Sequence, residues 1–150
     1  PVDNEITATN FKITPEGGYA VKMIAGENLE LGDIVMMGSA DNTVSKTTST
    51  SHVPVGVVYA NASSSASVWV ITSGIATVKF DNADVVRGRI AYDHLNGKSF
   101  IQYAYPHHKI DAINNDTYPS IGTYIESKSV STETLVKIIV RTLPIIQGTP

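Results

Sequence analysis

One phrase occurs twice in this chain, and that constrains its fold more than any other feature. Leu31-Gly32-Asp33-Ile34-Val35 lines up with Arg87-Gly88-Arg89-Ile90-Ala91 at an offset of 56 positions, and the Gly56 strand lines up with the Gly122 strand at an offset of 66. The ten extra residues fall on "YPHHKIDAINND", which reads as an insertion. Around these anchors the same order recurs. A glycine kink leads into a strand, a polar turn and a second strand, then a Pro/Gly strand, a polar loop and an apolar core strand. Two related halves, about 25–82 and 83–146, are therefore expected to close against each other and cover edges that would otherwise invite aggregation.

The residues between the anchors read as β-structure. "YAVKMIA" (19–25) alternates, Ile34–Met37 is a short apolar run, and "VPVGVVYA" (53–60) is β-branched. "VWVITSGIATVKF" (68–80) is the strongest strand signal, with Ser73–Gly74 marking a tight hairpin or a bulge. Asn96-Gly97 marks a hairpin between 85–93 and 98–105, and "TETLVKIIVRTLPII" (132–146) closes the pattern. Helical periodicity is thin, confined to residues 106–115 and a turn near Ala83–Val86. The expected fold is mainly β: a small compact barrel or sandwich over 19–150, at most short helices, and an extended N-terminal arm over 1–18. "PEGG" (15–18) is the turn that ends the arm.

Composition narrows the function. Apolar residues make up 42% and charged residues 17% of 150 residues, the balance of a β-rich domain, and a chain of this length buries roughly 68% of its extended surface without staples. With no cysteine there are no disulfides or thiolate metal sites. A net charge of −3 offers no basic field for phosphate, so nucleic acid is not an expected partner. No apolar run reaches ~18 residues and "PVDNEITATN" lacks signal-peptide features, so neither a membrane nor secretion is expected, and the chain reads as made for the cytoplasm of its producer.

Chemistry-bearing patterns are weak. His107 and His108 stand beside Asp111, but adjacent histidines diverge and no further ligands follow at a recognisable spacing, so a solvated loop or a polar contact between subunits is favoured over a metal. His52 and His94 are isolated. Ser73–Gly74 lacks a nucleophile elbow, and Glu16, Glu27, Glu30 and Asp33 read as solvated or turn-forming charges. Two glycosylation patterns, at Asn61 and Asn115, carry no weight without secretion. Trp69, Tyr92, Tyr103 and Tyr105 suit cross-strand packing better than a sugar shelf. The expectation is a protein with no enzymatic activity, cofactor or metal.

The phrase "AGENLELGDIVMMG…NTVSK…VPVGVVYANASSSASVWVITSGIATV" resembles the bacteriophage head decoration, or capsid-stabilising, proteins of the lambda-type group, over about residues 25–92 with a weaker echo to 143. The resemblance implies a virion protein on the capsid exterior, a homotrimer bound to the major capsid protein lattice that reinforces the shell. It also implies an N-terminal arm pairing with capsid strands, which suits Ile6, Phe11 and Ile13. A trimeric β-clip-like enzyme, a sugar-binding domain and a tail or fibre subunit are the alternatives.

Overall fold

The computed structural model describes residues 6–7, 9–47, 53–80, 85–94, 98–100, 120–128 and 134–141. Among them there are eleven strands and no helix. In chain order they are β1 (Ile6–Thr7), β2 (Phe11–Ile13), β3 (Gly18–Ala25), β4 (Ile34–Met37), β5 (Thr43–Lys46), β6 (Gly56–Val58), β7 (Ser67–Phe80), β8 (Ile90–His94), β9 (Lys98–Phe100), β10 (Ser120–Tyr124) and β11 (Thr134–Arg141). All belong to one mainly β sheet of order β1-β2-β3-β5-β4-β6-β7-β11-β10-β8-β9, with further pairings of β7 to β3 and to β9.

The mainly β fold expected from sequence is what forms, as one large sheet curled on itself rather than a clear barrel. The pairings trace two rings of neighbours that share one strand. The first runs β3, β5, β4, β6 and the front of β7 back to β3, and the second runs from the rear of β7 through β9, β8, β10 and β11 to β7 again. The second ring is joined at β9 through a single partner pair, Phe80 with Ser99. β7 can serve both because its 14 residues are one bulged strand, not a hairpin. Gly74 takes φ +84°, and the register against β3 slips between Tyr19 and Ala20. Only glycine tolerates that bend, since a Cβ at Gly74 would strike the Gly17 carbonyl.

The duplication is carried down to individual bonds. Parallel pairing of Ile24 with Thr43 recurs as Phe80 with Ser99, and Val35 opposite Gly56 recurs as Ala91 opposite Gly122. The bridge Leu29–Ala62 recurs as Val85–Lys128. Gly32 and Gly88, at φ +92° and +86°, head the same loop. Each glycine N–H donates to the corresponding carbonyl, Val58 at 3.0 Å and Tyr124 at 2.7 Å, and Asp33 and Arg89 donate back to Glu30 and Val86. Leu31 N–H is accepted by Asn61 Oδ1 at 2.8 Å and Arg87 N–H by Ser127 Oγ at 3.0 Å. Offsets of 56 and 66 relate every one of these pairs.

Strand alternation then sorts the apolar residues. Ala25, Leu29, Val35, Val44, Val58, Val68 and Val70 form a buried cluster supplied by every strand of the first ring. Their neighbours on the other face, Ala20, Ile34, Val57 and Ile71, are buried against the second half, with Ala76, Val78, Val136, Ile138 and Tyr124. In the second half Val85, Ala91, Tyr124, Val136 and Ile138 stand where Leu29, Val35, Val58, Val68 and Val70 stand in the first, and all are buried. Tyr124 is larger than Val58 and Ala91 smaller than Val35, so the bulk is redistributed within a similar space.

The sequence expectation near Ala83–Val86 also changes: Val85 lies in a β-bridge rather than a helical turn. Residues 106–115, the other helical candidate, are outside the described residues.

Candidate interaction surface

Residues 6–13, placed by sequence in an extended arm, contribute β1 and β2, and both strands join the sheet. β2 pairs antiparallel with β3, Phe11 opposite Val21 and Ile13 opposite Tyr19, and β1 adds outside it with Ile6 opposite Ile13. Residues 14–18 make the connecting turn. Thr14 and Gly18 exchange a backbone bond of 2.8 Å, and the Thr14 hydroxyl accepts the Gly18 N–H at 2.9 Å while buried. Ile75 N–H reaches the Gly17 carbonyl at 3.2 Å and ties the turn to β7.

Pairing across this hairpin puts Phe11, Ile13, Tyr19 and Val21 on one face. Phe11, Ile13 and Tyr19 are 38%, 37% and 40% exposed, and the Phe11 and Tyr19 rings stack with centroids 5.7 Å apart. The reverse face holds Lys12, which is buried and lies 4.7 Å from the Tyr59 ring and 5.1 Å from Trp69, while Lys22 faces the same Trp69 at 5.6 Å. The alkyl stem and cation of Lys12 thus anchor β2 from beneath and leave its aromatic side turned outward. Three large, partly exposed apolar side chains thus lie together near the outer end of the sheet.

A second charged cluster braces the first half's loop. Lys79 Nζ donates to Glu30 Oε2 at 2.8 Å and to the almost fully buried Asp33 Oδ1 at 2.9 Å, and Asp33 Oδ2 accepts the Glu30 N–H at 2.7 Å. Burial works to lower the Lys79 pKa, but hydrogen bonds and charge from Glu30 and Asp33 outweigh it and leave it raised. Lys79 lowers that of Glu30.

Of the residues singled out from sequence, the structure brings Phe11 and Ile13 together on one exposed face and places Ile6 in the strand beside them. His107 and His108 lie outside the described residues, as do His52, Tyr103 and Tyr105. Trp69 is half-buried against the core and faced by two lysines. Among the described residues no three metal-ligating side chains converge. One depression of about 50 Å³, beside Leu31, Tyr59 and Ile71, is far smaller than the ~300 Å³ of ordinary ligand pockets. Sequence reading missed Tyr19. The signal was available, because "PEGG" between "FKI" and "YAV" is a hairpin in which Tyr19 must face Ile13.

No family model matches the chain, and no curated protein does. Among solved structures it is similar to the head fibre gp8.5 N base of bacteriophage phi29. That likeness has a TM-score of 0.57 at 11% identity and covers 85% of this chain and 97% of the other. The architecture is therefore shared with a head fibre base, whereas the lambda-type decoration group expected from sequence is not the group this neighbour's name describes.

Proposed function

We propose that this chain is a structural protein of a bacteriophage virion that attaches to the outside of the head, using the Phe11–Ile13–Tyr19 face as its contact. The observation that carries the reading is the shared architecture with a head fibre base over nearly the whole of both chains. Its action is adhesion. Apolar area buried at the contact supplies the affinity, and the outer strand β1 is placed to add a shell strand by edge pairing. Its partner is the major capsid protein lattice.

Decoration in the cementing sense is the finer form of this proposal. A protein that binds only the assembled shell stabilises it by mass action, so heads carrying it should disrupt at a higher temperature than heads lacking it. Equal disruption temperatures at saturating protein would exclude cementing. A fibre-base role is the second reading, favoured by the neighbour's own description. Imaging heads with the full-length product in place separates the two: a projecting fibre rooted on this domain supports a base, and a close-fitting cap supports decoration.

A further inference from the structure

The two halves use one loop in different ways. In the first half, the Glu30–Asp33 loop is covered from the rear of β7 and from β11: Lys79 N–H donates to the Gly32 carbonyl at 3.0 Å, Lys79 Nζ bridges Glu30 and Asp33, and the Leu135 side chain closes over Gly32. In the second half the loop has the same glycine conformation and the same backbone bonds, yet no described residue is seen to cover it. Val86, Arg87, Gly88 and Arg89 are all exposed, and a Cβ at Gly88 would have no atom within 4 Å. Neither arginine side chain has an ion-pair or hydrogen-bond partner among the described residues.

The adjoining sheet face differs in the same sense. Ile71 is 2% exposed because the second half packs over it, while its counterpart Ile139 is 43% exposed. Arg87 and Ile139 hold the positions that Leu31 and Ile71, which line one depression, hold in the first half. Among the described residues the second half thus repeats that face in exposed form, and it replaces the acidic pair Glu30 and Asp33 with Val86 and Arg89. The expected occupant carries carboxylates where Lys79 sits in the first contact.

Charge is divided along the chain to match. Residues 1–66 hold seven acidic and three basic residues, and residues 67–150 hold seven acidic and eight basic ones. Glu16, Glu30 and Asp41 are exposed carboxylates of that acidic first half. We infer that the Val86–Arg89 loop and Ile139 form the contact for a second copy of this chain, which docks its acidic residues 1–66 head-to-tail on the exposed Arg87 and Arg89. Such a contact uses two different patches, so it closes into a ring or extends, and opposite charge fixes its register. The inference does not rest on head attachment and is tested with the purified chain alone.

Sedimentation of the wild type and of R87E/R89E gives the first readout. The wild type should self-associate, more weakly as salt rises, and the double variant should weaken that association at least about tenfold with an unchanged circular dichroism spectrum. A wild type that remains at 16.1 kDa up to about 100 µM, or a variant that associates as tightly, overturns the proposal. The chain has no cysteine, so V86C carries a benzophenone at one site. In mixtures of isotopically light and heavy protein, crosslinks should run to residues 1–66 of the other copy. Crosslinks between copies that fall in 67–150, or none at all, contradict it.

Discussion

Gly56 and Gly122 occupy the same place in the two halves, and at each a Cβ would run into the carbonyl of the neighbouring strand, Ile71 in one case and Ile139 in the other. Strand backbones there are closer than any side chain allows, so Gly56→Ala and Gly122→Ala should each cost about 3 kcal/mol in urea unfolding. Gly32 and Gly88 make a sharper comparison. Both have positive φ, and alanine at either pays the left-handed penalty of about 1 kcal/mol. Only at Gly32 does the new methyl also crowd Lys79 and Leu135, so Gly32→Ala should lower stability clearly more than Gly88→Ala. Equal losses would mean that the first loop is not covered in the way described.

The Lys79 cluster gives a pH signature. Glu30 has its folded pKa below the ordinary 4.5, so its share of stability is complete above 4.5 and is lost as pH falls through the lowered value. Lys79 has its pKa above the ordinary 10.5, so its share is complete below 10.5 and is lost as pH rises through the raised value. Lys79→Met should cost about 2 kcal/mol at neutral pH, less than a fully buried pair because the lysine keeps some water. The gap between variant and wild type should be flat across the neutral range and narrow at both extremes.

At the scale of elements, the β2–β3 hairpin is both bracing and display. Lys12 holds it to Trp69 and Tyr59, and Phe11 and Ile13 face solvent. Phe11→Ser with Ile13→Ser should therefore cost only about 1 kcal/mol of stability, mostly the lost ring stacking, while abolishing most head binding. Much of this layer was legible. Alternation located β3 and β11, β-branching located β6, and Asn96-Gly97 marked the connection that lets His94 pair with Lys98. β7 was legible as strand but not as one strand. Ser73–Gly74 has the local chemistry of a turn, and the reason it bends without turning is Gly17 packed against Gly74, a contact distant in sequence. Of the interaction face, Phe11 and Ile13 followed from their apolar character in a polar segment, whereas the open state of the Arg87–Arg89 loop depends on what the second half does not meet, which no local pattern records.

For the whole molecule, repetition explains both what is closed and what is left open. The offsets of 56 and 66 read from sequence recur in the hydrogen bonds of the loops and the glycine strands, while β7 and β11 correspond at 68, as in Val58 opposite Val70 and Tyr124 opposite Ile138. Two rings sharing β7 could not be read from the chain, because a strand with two sets of neighbours has the same alternation as a strand with one. The Glu30–Asp33 loop of the first half is covered from the rear of β7 and from β11, while the equivalent loop, Val86–Arg89, and Ile139 are exposed among the described residues.

For the proposed head attachment, the most direct measurement is cosedimentation of the purified chain with intact bacteriophage heads, comparing wild type with the Phe11→Ser/Ile13→Ser variant. Saturable binding of the wild type, and a drop of at least about tenfold in affinity for a variant that remains folded, is the predicted result. Wild-type protein that stays in the supernatant at every concentration, or a variant that binds as well, would contradict attachment through this face.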